Sequence, residues 1–465
     1  MPDATRAPTY DLAVIGGGTA GLVSAFGASG LGARVALIER GRLGGDCLNV
    51  GCVPSKALLR SARAVRSIRR AAAVGVRAAP PEVDFAAVMA RIGERRAVLA
   101  PNDSAERLAG AGVDVFFGEA AFTGRTEIVI RSAPTRDTHH IGFQRAVIAT
   151  GGQPIAPPIP GLAAAGYHTN ETIFDITERP QRLLVIGAGA VGCELAQAFA
   201  LLGTAVTLAD IADRPLAQED PEASAIVRRA LEADGVRFKL GAPVDLTVLR
   251  PGAASGVAAN DTILVAAGRA PNVEGLGLEA AGVRYGHGGI EVNDRLQTSN
   301  PRVFAAGDIA SRYKFTHAAD AMARIVIRNA LFFGRARASA LVVPWCTYTM
   351  PEVARVGELS GDTITIPLAD IDRAVLDGEE EGFVRVHHNR GRIRGCTIIA
   401  PHAGELIGHV AYVMRTGGRL RDLANAIFPY PTYAEGLRKA GDAHQRSRLT
   451  PTAKSLFDRY FRAFR

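Results

Sequence analysis

Residues 44 to 56 read Gly-Gly-Asp-Cys-Leu-Asn-Val-Gly-Cys-Val-Pro-Ser-Lys, and the fold follows from what Cys47 and Cys52 require of that stretch. On a regular α-helix a five-residue step turns by roughly 140° and advances by about 7.5 Å. A disulfide needs Cα atoms within about 7 Å and Cβ vectors that face each other. The spacing therefore suits a bridge only where the backbone is irregular. Gly44, Gly45 and Gly51 supply that freedom, and Pro54 removes a backbone donor that a continuous upstream helix would have used. The stretch predicts a distorted first turn and a regular helix from about Ser55. Lys56, four residues after Cys52, then shares its helical face. A nearby cation and a helix N-terminus both favour thiolate over thiol, so Cys52 reads as a sulfur of low pKa. A zinc site takes about four ligands. Neither a second cysteine pair nor a histidine stands nearby, so no metal site is expected.

Upstream, residues 10 to 15 are a short apolar run that passes directly into Gly16-Gly17-Gly18-Thr19-Ala20-Gly21. A helical stretch to about Gly30 follows, then a strand over residues 34–38 that ends at Glu39. This is a full dinucleotide fingerprint. Gly16, Gly18 and Gly21 permit the tight turn and the close approach of a pyrophosphate, and Glu39 accepts from a ribose hydroxyl. The pattern returns in residues 182–186, Gly187-Ala188-Gly189-Ala190-Val191-Gly192, a helix, and a strand over 205–209 ending at Asp210. In both copies the acid lies 18 residues past the last glycine. Two such sites imply two dinucleotides, most economically a flavin one and a nicotinamide one. Asp210 would accept from a 2′-hydroxyl and repel a 2′-phosphate, so NADH is expected rather than NADPH. Arg214 is the neighbouring group that could swing toward a phosphate.

Between the repeats, residues 145–149 form a buried-strand run that closes on Thr150-Gly151-Gly152. The Pro-rich segment 153–161 reads as an interdomain crossing. Another apolar strand, 262–267, precedes Gly268-Arg269-Ala270-Pro271-Asn272. Residues 303–306 run into Gly307-Asp308, a strand end that could present a carboxylate to a ribityl or ribose hydroxyl. Past Pro344, alternation in 383–386 and 393–399 suggests an antiparallel sheet, followed by a helix near 404–416. That region has no nucleotide motif and reads as an interface domain. It carries Phe428-Pro429-Tyr430-Pro431-Thr432-Tyr433-Ala434-Glu435.

The totals agree with this organisation. A chain of 465 residues has room for roughly three domains. With 48% hydrophobic residues, 22% charged and 51 glycines, it reads as a soluble α/β protein with many tight turns. No apolar run approaches the length that spans a bilayer, and the first ten residues hold no apolar signal core. The cytoplasm is therefore the expected location, where a CxxxxC pair cycles rather than staples. The formal charge of +8 is dispersed. Its densest run, Lys56, Arg60, Arg63, Arg66, Arg69 and Arg70, reads as a solvated helix face, not a nucleic-acid site.

Taken together, these motifs resemble the class I pyridine nucleotide-disulfide oxidoreductases over essentially the whole chain. That family includes dihydrolipoyl dehydrogenase, glutathione reductase and mercuric reductase, and GGDCLNVGCVPSK is close to its redox motif. The resemblance implies an α/β fold of two Rossmann-type dinucleotide-binding domains plus a C-terminal α+β dimerisation domain. FAD would be bound by residues 1–150, completed by a return segment, 271–340. NAD(P)H would be bound by 151–270, and residues 341–465 would form the interface of a homodimer. Electrons would pass from the nicotinamide to FAD and on to the Cys47–Cys52 disulfide. Cys47 would exchange with substrate, and Cys52 would make a charge-transfer contact with the flavin. The resemblance also pairs Lys56 with Glu194 near the flavin edge and assigns Thr150, Gly151 and Asp308 to FAD, with Arg269 and Gly307 as further cofactor-binding candidates.

The sequence also departs from its relatives. Dihydrolipoyl dehydrogenase and glutathione reductase carry His-Pro-x-x-x-Glu, whose histidine serves the partner subunit's exchange thiol as acid and base. Here Tyr430 takes that place, ahead of Pro431 and Glu435. A phenol is a poor base at neutral pH but a serviceable donor or weak metal ligand beside the Cys47 sulfur. Mercuric reductase is tyrosine-like at this point but ends in a vicinal cysteine pair, whereas only Cys193, Cys346 and Cys396 accompany the redox pair here. Segments 241–261 and 357–365 look short beside the family, and the second is expected to lack an interface helix.

The expected activity is transfer of electrons to a small-molecule disulfide or a thiol-bound soft metal ion, in the mercuric-reductase-like branch. A dihydrolipoyl dehydrogenase working without the histidine comes next, then a flavin-bound sensor or scaffold with little turnover. Leu456, Phe457, Tyr460, Phe461 and Phe464 share one helical face, expected to pack on the dimer rather than on a membrane.

Overall fold

Continuous apolar runs flanked by glycines become parallel strands covered on both faces. β1 (Thr9–Ile15) pairs in parallel with β2 (Val35–Glu39) on one side and with the strand Thr138–Ile148 on the other. Helix α1 (Thr19–Gly30) connects β1 to β2. Val113–Phe117 extends the sheet beyond β2. Val303–Ala305 adds to Thr138–Ile148 and brings a distant segment back into the same seven-stranded sheet. The second fingerprint repeats the plan: Arg182–Ile186 pairs in parallel with Ala205–Asp210 and with Thr262–Val265. The Pro-rich crossing opens on a short strand, Gly152–Pro154, which pairs antiparallel with Arg269–Pro271.

The computed structural model describes residues 8–132, 137–246 and 262–465. They divide into two compact units. One draws on Met1–Gly187, Ala198–Ile211 and Pro243–Leu341, the other on Ala188–Gln197, Ala212–Ala242 and Val342–Arg465. Residues 247–261, most of the segment that looked short, lie outside the described residues.

The second unit contains a five-stranded antiparallel sheet in the order Pro344–Thr347, Glu352–Gly357, Arg392–Ala400, Phe383–Asn389, Asp362–Pro367. Side chains alternate between its faces. One face, with Ala354, Val356, Val384, Val386, Cys396 and Ile398, packs with Leu406, Ile407, Val410, Leu423 and Leu437 from the following helices into one apolar cluster. The other face is polar at one end, where Arg355, Thr397, Arg385 and Thr365 are successive cross-strand partners, and apolar beside it, where Val353, Ile399 and Phe383 are. The short segment 357–365 is the end of one strand, a turn and the start of the edge strand, with no helix.

One sequence expectation is corrected. The regular helix begins at Cys52, not near Ser55: α3 spans Cys52–Arg70, and Cys47 sits on its own short helix, α2 (Gly45–Asn49). Pro54 does not delay α3, because a first-turn N–H has no intrahelical partner to lose.

Candidate redox and dinucleotide sites

Cys47 on α2 and Cys52 at the first position of α3 are both free thiols, Cys52 exposed and Cys47 half-buried. The Cys47 thiol is pushed well above its ordinary value, first by a side-chain hydrogen bond with Cys52, then by burial. The Cys47 S–H is thus the natural donor within the pair. Thr316 is a partner that sequence reasoning missed. Its hydroxyl lies 3.4 Å from the Cys52 sulfur and favours the Cys47 thiolate in partial opposition to the other effects. Thr316 opens the helix Thr316–Leu331, so the residues that begin two helices meet at the sulfurs, and both helix ends favour negative charge there. Lys56 follows Cys52 by one turn of α3.

Asp46, beside Cys47, pairs with Arg269. The same guanidinium donates to the Gly152 carbonyl and has its Nε 3.7 Å from Asp308 Oδ2. Lys314 Nζ donates to the Asp308 carbonyl. Burial pushes the Asp308 carboxyl up, with Arg269 and Lys314 opposing it. Thr150 Oγ1 donates to the Asn272 carbonyl at 3.0 Å, and Asn272 Nδ2 donates back to the Thr150 carbonyl at 2.8 Å. Thr150-Gly151, Arg269 and Gly307-Asp308, far apart in sequence, are therefore gathered in one unit with the redox pair.

The first fingerprint has the shape its glycines predict. Gly16 has φ +105°, and a Cβ there would lie 2.4 Å from the Ala149 carbonyl oxygen; at Gly21 one would lie 1.8 Å from the Gly16 oxygen. At Gly18 a Cβ would meet nothing nearer than 3.7 Å, which leaves the turn open to a phosphate. Glu39 is fixed at the strand end, its two carboxylate oxygens accepting from the Gly17 and Gly41 amides at 2.6 and 2.7 Å. In the second fingerprint Gly187 has φ +110° and backs onto the Ala266 carbonyl oxygen, 2.5 Å from a Cβ, while Gly189 has nothing within 4 Å. Gly192 lies in the helix Ala190–Leu201, and Asp210 ends its strand. Both turns fit a dinucleotide. Arg214 does not swing outward: its guanidinium donates to the carbonyls of Glu219 and Ala217 at 3.1 and 2.5 Å.

Glu194 is buried and accepts from the Tyr348 amide at 2.9 Å. Lys56 and Glu194 fall in different units. Tyr430 is 71% exposed and donates to Asp372 Oδ2 at 2.8 Å, a bond that raises its pKa. Glu435 is buried; its Oε1 pairs with Arg438 at 2.9 Å, while its Oε2 is buried without a hydrogen-bond partner. Among the described residues no helix is long and apolar enough to cross a membrane.

Two family models match the chain. Residues 10–323 match pyridine nucleotide-disulphide oxidoreductase, and residues 343–441 match that family's dimerisation domain. The mercuric reductase of Lysinibacillus sphaericus is 33% identical over 93% of this chain and 82% of its own length. The dihydrolipoyl dehydrogenase of Thermus scotoductus is 35% identical over 94% of this chain and 97% of its own. Among solved structures, a Cu(II) complex of the HOCl-induced flavoprotein disulfide reductase RclA from Escherichia coli superposes with a TM-score of 0.82 at 27% identity, covering 94% of this chain and 99% of that one.

Proposed function

The chain belongs to the pyridine nucleotide-disulphide oxidoreductase family, and from that membership we propose that it carries electrons from NADH to a thiophilic metal ion held by the Cys47–Cys52 pair. The observation that carries this reading is the pair itself: two thiols in hydrogen-bonding contact, at the start of α3, in one unit with the first fingerprint. FAD, when bound, relays two electrons between nicotinamide and disulfide. The chain's own residues hold the pyrophosphate at Gly16–Gly21, the ribose at Glu39, and the sulfurs against the hydroxyl of Thr316. Cys52, with an open side, suits the flavin contact. Cys47 is left to exchange with the acceptor. Thiolates prefer soft ions, and reduction of a bound ion needs no proton delivered to a leaving thiol. Similarity to mercuric reductases, and to a disulfide reductase whose structure is a Cu(II) complex, supports a thiophilic metal ion at the pair.

Tyr430 argues against disulfide exchange as the main activity. An imidazole near pKa 6.5 gives and takes a proton at neutral pH, whereas this phenol is pushed above its usual value by Asp372. Similarity to a dihydrolipoyl dehydrogenase keeps lipoamide as the second reading. The dimerisation-domain match supports a homodimer, and a cycling dithiol suits the reducing cytoplasm. The test is steady-state NADH oxidation with Hg(II), Cu(II), lipoamide and glutathione disulfide in parallel. Metal reduction well above both disulfides is expected. Lipoamide turnover at hundreds per second, a rate efficient enzymes reach, would transfer the assignment to dihydrolipoyl dehydrogenase. No turnover with any acceptor would favour a flavin-bound sensor.

A further inference from the structure

The polar face of the five-stranded sheet has no role in the chemistry described so far, yet it is where buried polar atoms go unsatisfied. Of the seven buried side-chain atoms without a hydrogen-bond partner among the described residues, five belong to Glu219, Arg355, His387 and Thr397. Arg355, Thr397 and His387 lie on that face, and Glu219 comes from the loop that follows Asp210 in the chain.

The loop is tied at three places within its unit. At its centre Leu216, in a left-handed conformation with φ 50°, donates its amide to the Ala188 carbonyl of the second fingerprint at 2.8 Å. At its far end Glu219 accepts from Trp345 Nε1 at 2.7 Å, and its other oxygen is 3.6 Å from Arg355, whose Nη1 also donates to the Gln218 carbonyl at 2.8 Å. Asp220 caps the helix Pro221–Ala233 through the Glu222 amide at 2.9 Å and accepts from Arg385 at 2.7 Å. Arg385 reaches Glu222 as well, at 2.6 Å. Ahead of these ties Arg214 turns back onto the carbonyls of Ala217 and Glu219.

A bare leucine at positive φ is a costly conformation that persists only where its surroundings impose it. Here Leu216 is held by two backbone bonds, its amide on the Ala188 carbonyl and its carbonyl accepting from the Glu219 amide, both at 2.8 Å, and Glu219 is itself tied to the sheet. We infer that Trp345, Arg355 and Arg385 are positioning residues for the nicotinamide nucleotide: by clamping Ala212–Asp220 to the sheet, they hold Leu216 on the fingerprint and withhold Arg214 from a 2′-phosphate. The clamp thereby favours NADH, because it denies a 2′-phosphate this cation.

This inference rests on the reading that the second fingerprint binds a nicotinamide dinucleotide, and the experiment separates the two. Binding of adenosine 5′-monophosphate and adenosine 2′,5′-bisphosphate is measured by calorimetry on the holoenzyme, together with kcat and KM for NADH and NADPH. Wild type is expected to bind the monophosphate and to prefer NADH. If it binds neither nucleotide, the underlying reading fails before the clamp is tested.

Arg385→Ala is expected to raise KM for NADH about tenfold, with kcat changed far less. The ratio of bisphosphate to monophosphate affinity should rise by a similar factor, and Arg385→Lys should restore part of the discrimination. Adding Arg214→Ala to Arg385→Ala should abolish the gain for the bisphosphate. A merely structural role would weaken both nucleotides equally and leave the ratio at its wild-type value. That result, in a variant whose near-ultraviolet circular dichroism matches wild type, overturns the clamp. Where Arg385→Ala does not fold, Trp345→Phe reads the same ratio through loss of one hydrogen bond to Glu219.

Discussion

Tyr430 and the two redox cysteines put the proposed chemistry within reach of single substitutions. The Tyr430 hydroxyl donates to Asp372, and that carboxylate holds the phenol above its ordinary value, so its proton stays on oxygen across the neutral range. Tyr430→His is expected to raise lipoamide turnover by about two orders of magnitude, the low end of what a positioned acid-base residue contributes. Tyr430→Phe should lower metal reduction severalfold; an unchanged rate would leave the phenol without a part in it. The cysteines divide the work differently. Loaded with FAD, Cys47→Ser is expected to show a long-wavelength charge-transfer band without added reductant, because the remaining sulfur cannot be tied in a disulfide. Cys52→Ser should show no band even after two-electron reduction. Absorption spectra decide this, and a band in Cys52→Ser reverses the two roles. The pair itself was legible from GGDCLNVGCVPSK, since few other patterns combine that spacing with three glycines, Pro54 and Lys56. Thr316 was not legible: it stands 264 residues from Cys52, and only the fold brings its hydroxyl to 3.4 Å.

Elements buried on both sides announce themselves in sequence, whereas elements with one polar face do not. The fingerprint strands read as unbroken apolar runs and were placed within about two residues of their ends, as parallel strands should be. In the antiparallel sheet the strands Phe383–Asn389 and Arg392–Ala400 showed their alternation, but nothing in it marked which outward residues would be covered. His387 is such a residue. It is buried on the polar face with both ring nitrogens unpartnered, facing Asp220, Arg385, Arg355 and His388. Burial lowers its pKa, helped by Arg385, Arg355 and His388 and opposed by Asp220. The folded chain therefore holds His387 neutral, while the unfolded chain takes up a proton below about pH 6.5. Protons bind the unfolded state more, so stability is fully present above that value and falls as pH drops below it. The thermal midpoint is expected to be about 1–2 °C lower at pH 5.5 than at pH 7.5 on this account, and His387→Gln should flatten that difference. An equal slope in the variant would assign the acid sensitivity elsewhere, with His444, also lowered by burial, next to test.

At the scale of the whole molecule the unexplained feature is the helix Pro451–Ala463. Thr450 caps it through the Ala453 amide at 3.2 Å, with Pro451 in the first turn, so the sequence builds a properly started helix. It then buries nothing. Leu456, Phe457, Tyr460, Phe461 and Phe464 are between 50% and 75% exposed. A helix of 13 residues is marginal in water without a partner for its apolar face. The match to the family's dimerisation domain ends at residue 441, inside the helix Glu435–Ser447 that precedes this one in the chain, and a second copy is therefore the occupant this apolar face is expected to meet. Burying a Leu or Phe side chain contributes about 1.5–3 kcal/mol. Even partial burial of these five residues on a second copy would change the dissociation constant by orders of magnitude. Deleting residues 452–465 is expected to leave the thermal midpoint of dilute protein nearly unchanged and to weaken the dimer at least tenfold by sedimentation equilibrium. The competing occupant is an anionic lipid surface, for which Lys454, Arg459, Arg462 and Arg465 would supply the charge. Co-sedimentation with phosphatidylglycerol vesicles separates the two. Vesicle binding that vanishes on deletion, with the dimer constant untouched, would assign the helix to the membrane.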